Sequence, residues 1–255
     1  MTATPAGMTY ADYLKLDQLL SAQQPQSGLH DEMLFIIIHQ TKELWMKEML
    51  HELVLAIRLI GEGRFAEAYK AMARISRIQA VMTLSWDVLS TLTPVDYLKF
   101  RDVLGTSSGF QSAQFREIEY RLGLKDPRFL EHYDEGTPAH ARLKAALEQP
   151  SLREAAVEAL ARSGFELGDR SEQELAAAWL QVYRDAERWF ELYELAEKLV
   201  DIDDALAMWR HKHVLTVERI IGNKTGTGGS AGAPYLRSTL DKRIFPELWA
   251  LRTDL

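Results

Sequence analysis

Apolar residues recur along this chain at the three- and four-residue spacing of amphipathic helices. Nowhere do they alternate with polar residues long enough to make a strand, so the pattern predicts an all-α fold. Thr9 with Asp12 reads as a capping box opening a short helix to about Ser21, followed by a Pro25-containing loop from Ala22 to Gly28. Asp31 is placed to cap a long helix from Glu32 to about Ile60, ended by Gly61 and Gly63. Both faces of its Met33–Trp45 stretch are apolar, which predicts a buried segment.

A second long helical pattern covers Arg64 to about Leu92. Thr93-Pro94-Val95-Asp96 starts the next helix, to Leu104, with a cap residue, a first-turn proline and an acid. After the polar loop from Gly105 to Gly109, Phe110 to Leu122 is helical and stops at Gly123. Ser171 to Glu174 opens a long helix to about Val200, and Asp201 to Asp204 opens another to Ile221. In the more broken region 124–170, short helices start at Thr137-Pro138 and Ser151, with much charge and few large apolar residues. The expected organisation is one large helical domain over 1–255, with 124–170 a small peripheral helical segment.

Composition narrows the chemistry. Apolar residues make up 47% and charged ones 26%, as in ordinary globular proteins. There is no cysteine, which removes disulfide scaffolds, thiolate metal sites and thiolate-bound haem, and leaves seven histidines and the carboxylates as possible ligands. A net charge of −7 without a basic tract argues against nucleic acid and anionic membranes as partners. The segment from Met1 to Gly7 has no basic or apolar stretch of a targeting signal, so a cytoplasmic protein is expected.

Few residues stand out as candidates for chemistry. His39 lies in the apolar stretch one turn after Phe35, where burial would keep its imidazole neutral; a packed core histidine fits equally well. His213 falls on the inward stripe of Leu206, Trp209, Val217 and Ile220, whereas His211 points away from it. Glu48 and His51 have the spacing of half a di-iron motif, but no second copy exists, and they read as a solvated face. Tyr97 and Arg101 share a helix face and could clamp a carboxylate; by spacing alone, a surface arginine resting on a tyrosine is the simpler reading. Five of the fifteen glycines fall in 222–232, with the hydroxyls of Thr225, Thr227 and Ser230. The order of residues excludes a Walker loop and suits a segment that folds over a ligand, or a mobile linker.

Three long motifs, in order, carry a resemblance. They are Phe35-Ile36-Ile37-Ile38-His39-Gln40-Thr41-Lys42-Glu43-Leu44-Trp45, then Gly105-Thr106-Ser107-Ser108-Gly109-Phe110-Gln111-Ser112-Ala113-Gln114-Phe115-Arg116, then Trp209-Arg210, His213 and Arg219-Ile220-Ile221-Gly222 with Gly226-Thr227-Gly228-Gly229-Ser230. From about Thr9 to the end, the chain resembles the bacterial tryptophan 2,3-dioxygenase family.

The resemblance implies an all-helical fold around a haem, one haem b per subunit and ferrous when active. It implies addition of both atoms of O2 across the indole C2–C3 bond of L-tryptophan to give N-formylkynurenine, the first step of tryptophan breakdown through kynurenine. His213 would be the axial ligand of the haem iron and His39 the partner of the indole N–H. Phe35 would pack on the indole, within the substrate-contacting run of Ile36, Ile37 and Ile38. Tyr97 and Arg101 would hold the carboxylate, and Thr227 the amino-acid head group. The family is a homotetramer, a dimer of dimers, so Tyr10, Tyr13 and Leu14 would reach the neighbouring subunit's pocket. The residues themselves fit two other readings: a haem carrier using both histidines as ligands, and a helical protein whose histidines are core residues.

Overall fold

Hydroxyl side chains set several helix starts. The structure, a computed structural model describing residues 7–255, opens with Thr9 and Asp12 bonded reciprocally, each backbone N–H donating to the other's side chain at 3.1 Å. Thr93, Thr137, Ser151 and Ser171 likewise cap the helices that follow them. All regular elements among the described residues are helical. They are α1 (Tyr10–Leu14), α2 (Leu16–Leu20), α3 (His30–Gly61), α4 (Phe65–Leu89), α5 (Pro94–Phe100), α6 (Ala113–Leu122), α7 (Pro138–Glu148), α8 (Leu152–Arg162), α9 (Glu172–Arg184), α10 (Phe190–Ile221), α11 (Ala233–Arg237) and α12 (Pro246–Ala250), with short 3₁₀ turns between some of them. None of them is long and apolar enough to cross a membrane.

The core is a layer of three long helices. Buried residues of α3 (Met46, Met49, Leu53, Ala56, Ile60) and α4 (Ala68, Met72, Ile75, Met82, Trp86, Leu89) follow alternating three- and four-residue steps, so each helix offers one continuous stripe. The turn at Gly61 to Arg64, with Gly63 at φ +74°, folds α4 back antiparallel on α3. On its other side α4 packs against α10, which runs in the same direction: Gln79 bonds the Ile202 carbonyl at 3.1 Å, and Asp87 pairs with Lys212 at 2.5 Å. α6 and α8 cover α3, and α9 and α12 close the lower end. Within 124–170, α8 sends Leu152, Ala156 and Leu160 into this main core, whereas Leu143 and Ala146 of α7 form a satellite cluster with Tyr120.

Several boundaries differ from the sequence reading. The first helix is two, because Lys15 adopts a left-handed backbone (φ 52°). Asp31 does not cap α3; it lies in its first turn after Leu29. Glu32 gathers the preceding loop instead, accepting from the Gln26 and Ser27 backbone N–H groups at 2.8 and 2.7 Å. α4 stops at Leu89, where the hydroxyls of Ser90 and Thr91 bond back to carbonyls of the last turn. Ser112 starts α6 after a short 3₁₀ turn at Gly109–Gln111.

The largest correction concerns Asp201 to Asp204, which lies inside α10 and opens nothing; the break falls between Arg184 and Phe190. Asp203 is buried and turned inward. Its carboxylate accepts from the Ile244 and Phe245 backbone N–H groups and from Trp249 Nε1, at 3.0–3.2 Å. Nor is the Met33–Trp45 stretch buried all round. Met33, Ile37, Leu44 and Trp45 remain 37–48% exposed, an apolar surface that this chain alone does not cover.

Asp203 holds the C-terminal segment to the core through charge-assisted bonds. Asp203→Ala should therefore lower the unfolding free energy by about 3 kcal/mol, since it strands buried donors, and urea titration followed by far-UV circular dichroism checks this.

Candidate active site

The N-terminal half of α3 and the C-terminal halves of α4 and α10 converge with α5 and two loops, 105–109 and 222–232. On the α3 side, Phe35 and His39 sit one turn apart with ring centroids at 4.2 Å. Tyr97 and Phe100 of α5 complete an aromatic cluster, 5.9 and 5.8 Å from Phe35. His39 Nδ1 lies 2.7 Å from the Phe35 carbonyl oxygen, which can only accept, so Nδ1 carries the proton. Burial pushes the His39 pKa down, against the opposing effect of that hydrogen bond. The ring is thus neutral, with Nε2 an acceptor.

On the opposite wall, His213 of α10 stacks flat on Trp86 of α4, centroids 4.4 Å apart and planes at 11°. Trp209, one turn earlier, touches both rings and stacks on Phe115 at 4.9 Å. Burial, reinforced by Lys42 and His39, pushes the His213 pKa to about 3, so this imidazole is neutral too. His211 is exposed, as its place on the helix predicted.

Two polar linkages, one buried and one half-buried, hold these walls. Arg210 donates to Glu119 at 2.8 Å and to the Lys242 carbonyl at 2.9 Å, tying α10 to α6; Arg116 pairs with the other oxygen of Glu119. Because the Arg210 guanidinium is fully desolvated and paired, it fixes the rotation of the turn that carries Trp209 and His213. Glu43 accepts from Ser112 Oγ at 2.6 Å and from Gln114 Nε2 at 2.7 Å, which binds α3 to the start of α6.

The glycine loop lies over the mouth. Arg101 donates to the Thr225 carbonyl, and the Thr227 hydroxyl to the Ser107 carbonyl. Tyr97 is buried beside Arg101; burial pushes its hydroxyl pKa up, and the guanidinium pulls it partly back. Gly228 packs against Ser108, where a Cβ would come within 2.6 Å of the serine Cβ. Gly232 closes the loop in left-handed backbone (φ +67°), and a Cβ there would lie 2.5 Å from the Lys224 carbonyl oxygen.

Phe35, His39 and Tyr97 are therefore brought into one cluster, Arg101 and Thr227 into bonds between the helix end and the covering loops, and His213 onto the facing wall. The neighbours of Phe35 fan around α3: Ile36 is half-buried, Ile37 exposed and Ile38 in the core. Tyr10, Tyr13 and Leu14 stay exposed on α1. Glu48 is half-buried and His51 exposed, and no group of three or more potential metal-ligating side chains exists among the described residues. Sequence reasoning missed Trp86, Lys42 and Glu43. Trp86 has no local signal, whereas Lys42 and Glu43 were visible as charges inside an apolar helical run.

A haem suits this donor set. Neutral imidazole is the form that ligates iron, and aromatic walls suit a flat apolar macrocycle. Three buried polar atoms also lack any partner among the described residues: Lys42 Nζ, Trp86 Nε1 and Trp209 Nε1.

Fold and site together define an all-α protein with two neutral imidazoles among aromatic rings and an arginine bonded to a glycine-rich loop. Its relatives narrow the class. A model of the family described as tryptophan 2,3-dioxygenase matches residues 1–168 and 167–255. The chain is 62% identical to the tryptophan 2,3-dioxygenase of Caulobacter vibrioides, with 97% of this chain and 98% of the relative covered. It is 52% identical to that of Bacillus cereus (97% and 93% covered) and 50% identical to that of Shewanella woodyi (97% and 91%). The chain belongs to the tryptophan 2,3-dioxygenase family.

The geometry at Gly232 yields a test of the lid. Gly232→Ala forces a side chain into left-handed backbone, at about 1–2 kcal/mol, and against a carbonyl. It should loosen the 222–232 loop while leaving helix content unchanged, and limited trypsin digestion should cleave after Lys224 at least several-fold faster.

Proposed function

We propose that this chain oxidises L-tryptophan with O2, inserting both oxygen atoms across the indole C2–C3 bond to give N-formylkynurenine, the opening step of tryptophan breakdown by the kynurenine route. The observation that carries this reading is the His39 tautomer. With Nδ1–H committed to the Phe35 carbonyl, Nε2 is an acceptor beside the Phe35 ring, which suits an indole N–H.

His213 would hold the iron of one haem b per subunit, ferrous in the active form. When bound, the haem would supply O2 activation, and the substrate itself would supply the electrons that reduce O2. The rest is the work of side chains. His39 fixes the indole N–H, and Phe35 packs on the ring, with Ile36, Ile37 and Ile38 in the same run. The Arg101 fork takes the substrate carboxylate in place of the neutral Thr225 carbonyl, because a charge-assisted pair is the stronger bond. Tyr97 adds a hydroxyl donor, and Thr227 meets the head group. Holding both ends of the substrate sets C2 and C3 in place, a proximity effect. Closure of 222–232 keeps water out.

The assembly we propose is a homotetramer, a dimer of dimers, working in the cytoplasm. Two features support it: the exposed apolar face of α3, and the exposed Tyr10, Tyr13 and Leu14, which are free to enter a neighbour's cleft. Residues 1–255 would act as one helical unit, with 124–170 at its edge and 222–232 as the active-site loop.

The deciding experiment is an anaerobic titration of the reduced, haem-loaded protein with L-tryptophan, then admission of air. A shift of the haem spectrum followed by N-formylkynurenine, one per O2 consumed, supports the reading; a spectrum indifferent to tryptophan and no product refutes it. His213→Ala should abolish turnover and change the haem spectrum, and an unchanged spectrum would remove His213 as ligand. Arg101→Lys, which loses the fork, should raise the tryptophan KM by about tenfold or more, as steady-state kinetics would show.

A further inference from the structure

Lys42 is a charged group of the site whose presence the proposed reaction does not explain. It lies on α3 one turn beyond His39, and is 5% exposed. Its Nζ has no hydrogen-bond partner among the described residues. It stands 2.9 Å from the centroid of the Trp86 ring. The His213 ring lies parallel to the same indole at 4.4 Å. An ammonium that close and a ring so nearly parallel cannot share one face. Trp86 is therefore sandwiched between Lys42 and His213. A cation resting on an aromatic face gains some attraction, but far less than it loses on leaving water. Glu43, the adjacent carboxylate, is engaged by Ser112 and Gln114, and Asp87, one residue from Trp86, by Lys212. Among the described residues, the protein thus buries an amine beside the Trp86–His213 stack and supplies no anion for it.

Any anion that relieves this must arrive with a ligand. Two of the proposed ligands carry carboxylates: haem, through its propionates, and tryptophan. The amino-acid carboxylate already has Arg101 and Tyr97, at the mouth beyond Phe35. Lys42 lies on the other side of His39, against the indole that backs His213. We infer that Lys42 is the charge partner of a haem propionate, so that haem binding completes an ion pair of which the protein holds one half. This rests on the haem reading above. Desolvation, which pushes the Lys42 pKa down to about 6 without the anion, agrees with it.

The test compares haem b with its dimethyl ester, in which both propionates are neutral. Apoprotein of the native sequence, of Lys42→Met and of Lys42→Arg is titrated with each porphyrin, following the Soret band. The native protein should prefer haem b over the ester. Lys42→Met should lower haem b affinity by about thirtyfold, as for truncating one partner of a buried charge pair, and leave ester affinity within about threefold. Lys42→Arg should keep most of the preference. The Lys42→Met apoprotein should melt no lower than the native one, since a buried unpaired amine is replaced by an apolar chain of similar length.

Equal losses for both porphyrins in Lys42→Met, or no loss for either, would overturn the inference. So would unchanged haem binding with weakened tryptophan affinity, which would assign Lys42 to the substrate. If the native protein takes up neither porphyrin, the haem reading itself fails, and this inference with it.

Discussion

Packing of α4 between α3 and α10 is the constraint on which the cleft depends, because each wall is carried by a different long helix and α4 packs along the length of both. Its apolar stripe is matched antiparallel by α3 and parallel by α10, and these stripes interdigitate only in a narrow range of registers. Once the register is set, Trp86 backs His213, and Lys42 reaches the other face of the same indole. A slip of one turn, about 5.4 Å, would separate all three.

Polar contacts then fix what apolar packing leaves free. A stripe of leucines and alanines tolerates small rotations of a helix about its axis; a buried guanidinium bonded to Glu119 and to the Lys242 carbonyl does not. Arg210 therefore sets the angle at which His213 meets the cleft, and Glu43 does the same for the start of α6. Removing either partner of such a linkage strands a buried charge, which is how an ion pair that adds little net stability can still specify one geometry.

The same desolvation that makes the core stable makes the site reactive in a particular way. His39 and His213 are both held neutral by burial, but they differ in what their nitrogens do. One donates its Nδ1–H to the Phe35 carbonyl and keeps Nε2 as an acceptor; the other meets mainly aromatic faces. Two histidines thus take two roles through local surroundings alone. At the mouth, Arg101 and Thr227 satisfy backbone carbonyls of the two loops and so tie them to the helices behind.

Much was legible in the chain itself. The helical class, most helix starts and the inward placement of His213 rather than His211 follow from period and capping residues, which act within a turn or two. The three motifs contain Phe35, His39, His213 and Thr227, whose surroundings only the folded chain shows. What local reading could not supply has a common cause: each case depends on residues far apart in sequence. Asp203 looks like a helix start because aspartate commonly caps; it is instead an interior acceptor for a segment some forty residues later. The break between α9 and α10 moves accordingly. Tyr97 and Arg101 looked like a surface pair until the loop at 222–232 folded over them. Trp86 carries no signal of its own, and Lys42 reads as an ordinary helix charge until tertiary packing buries it without a partner. Periodicity decides which face of a helix turns inward; only the assembled helices decide what that face meets there.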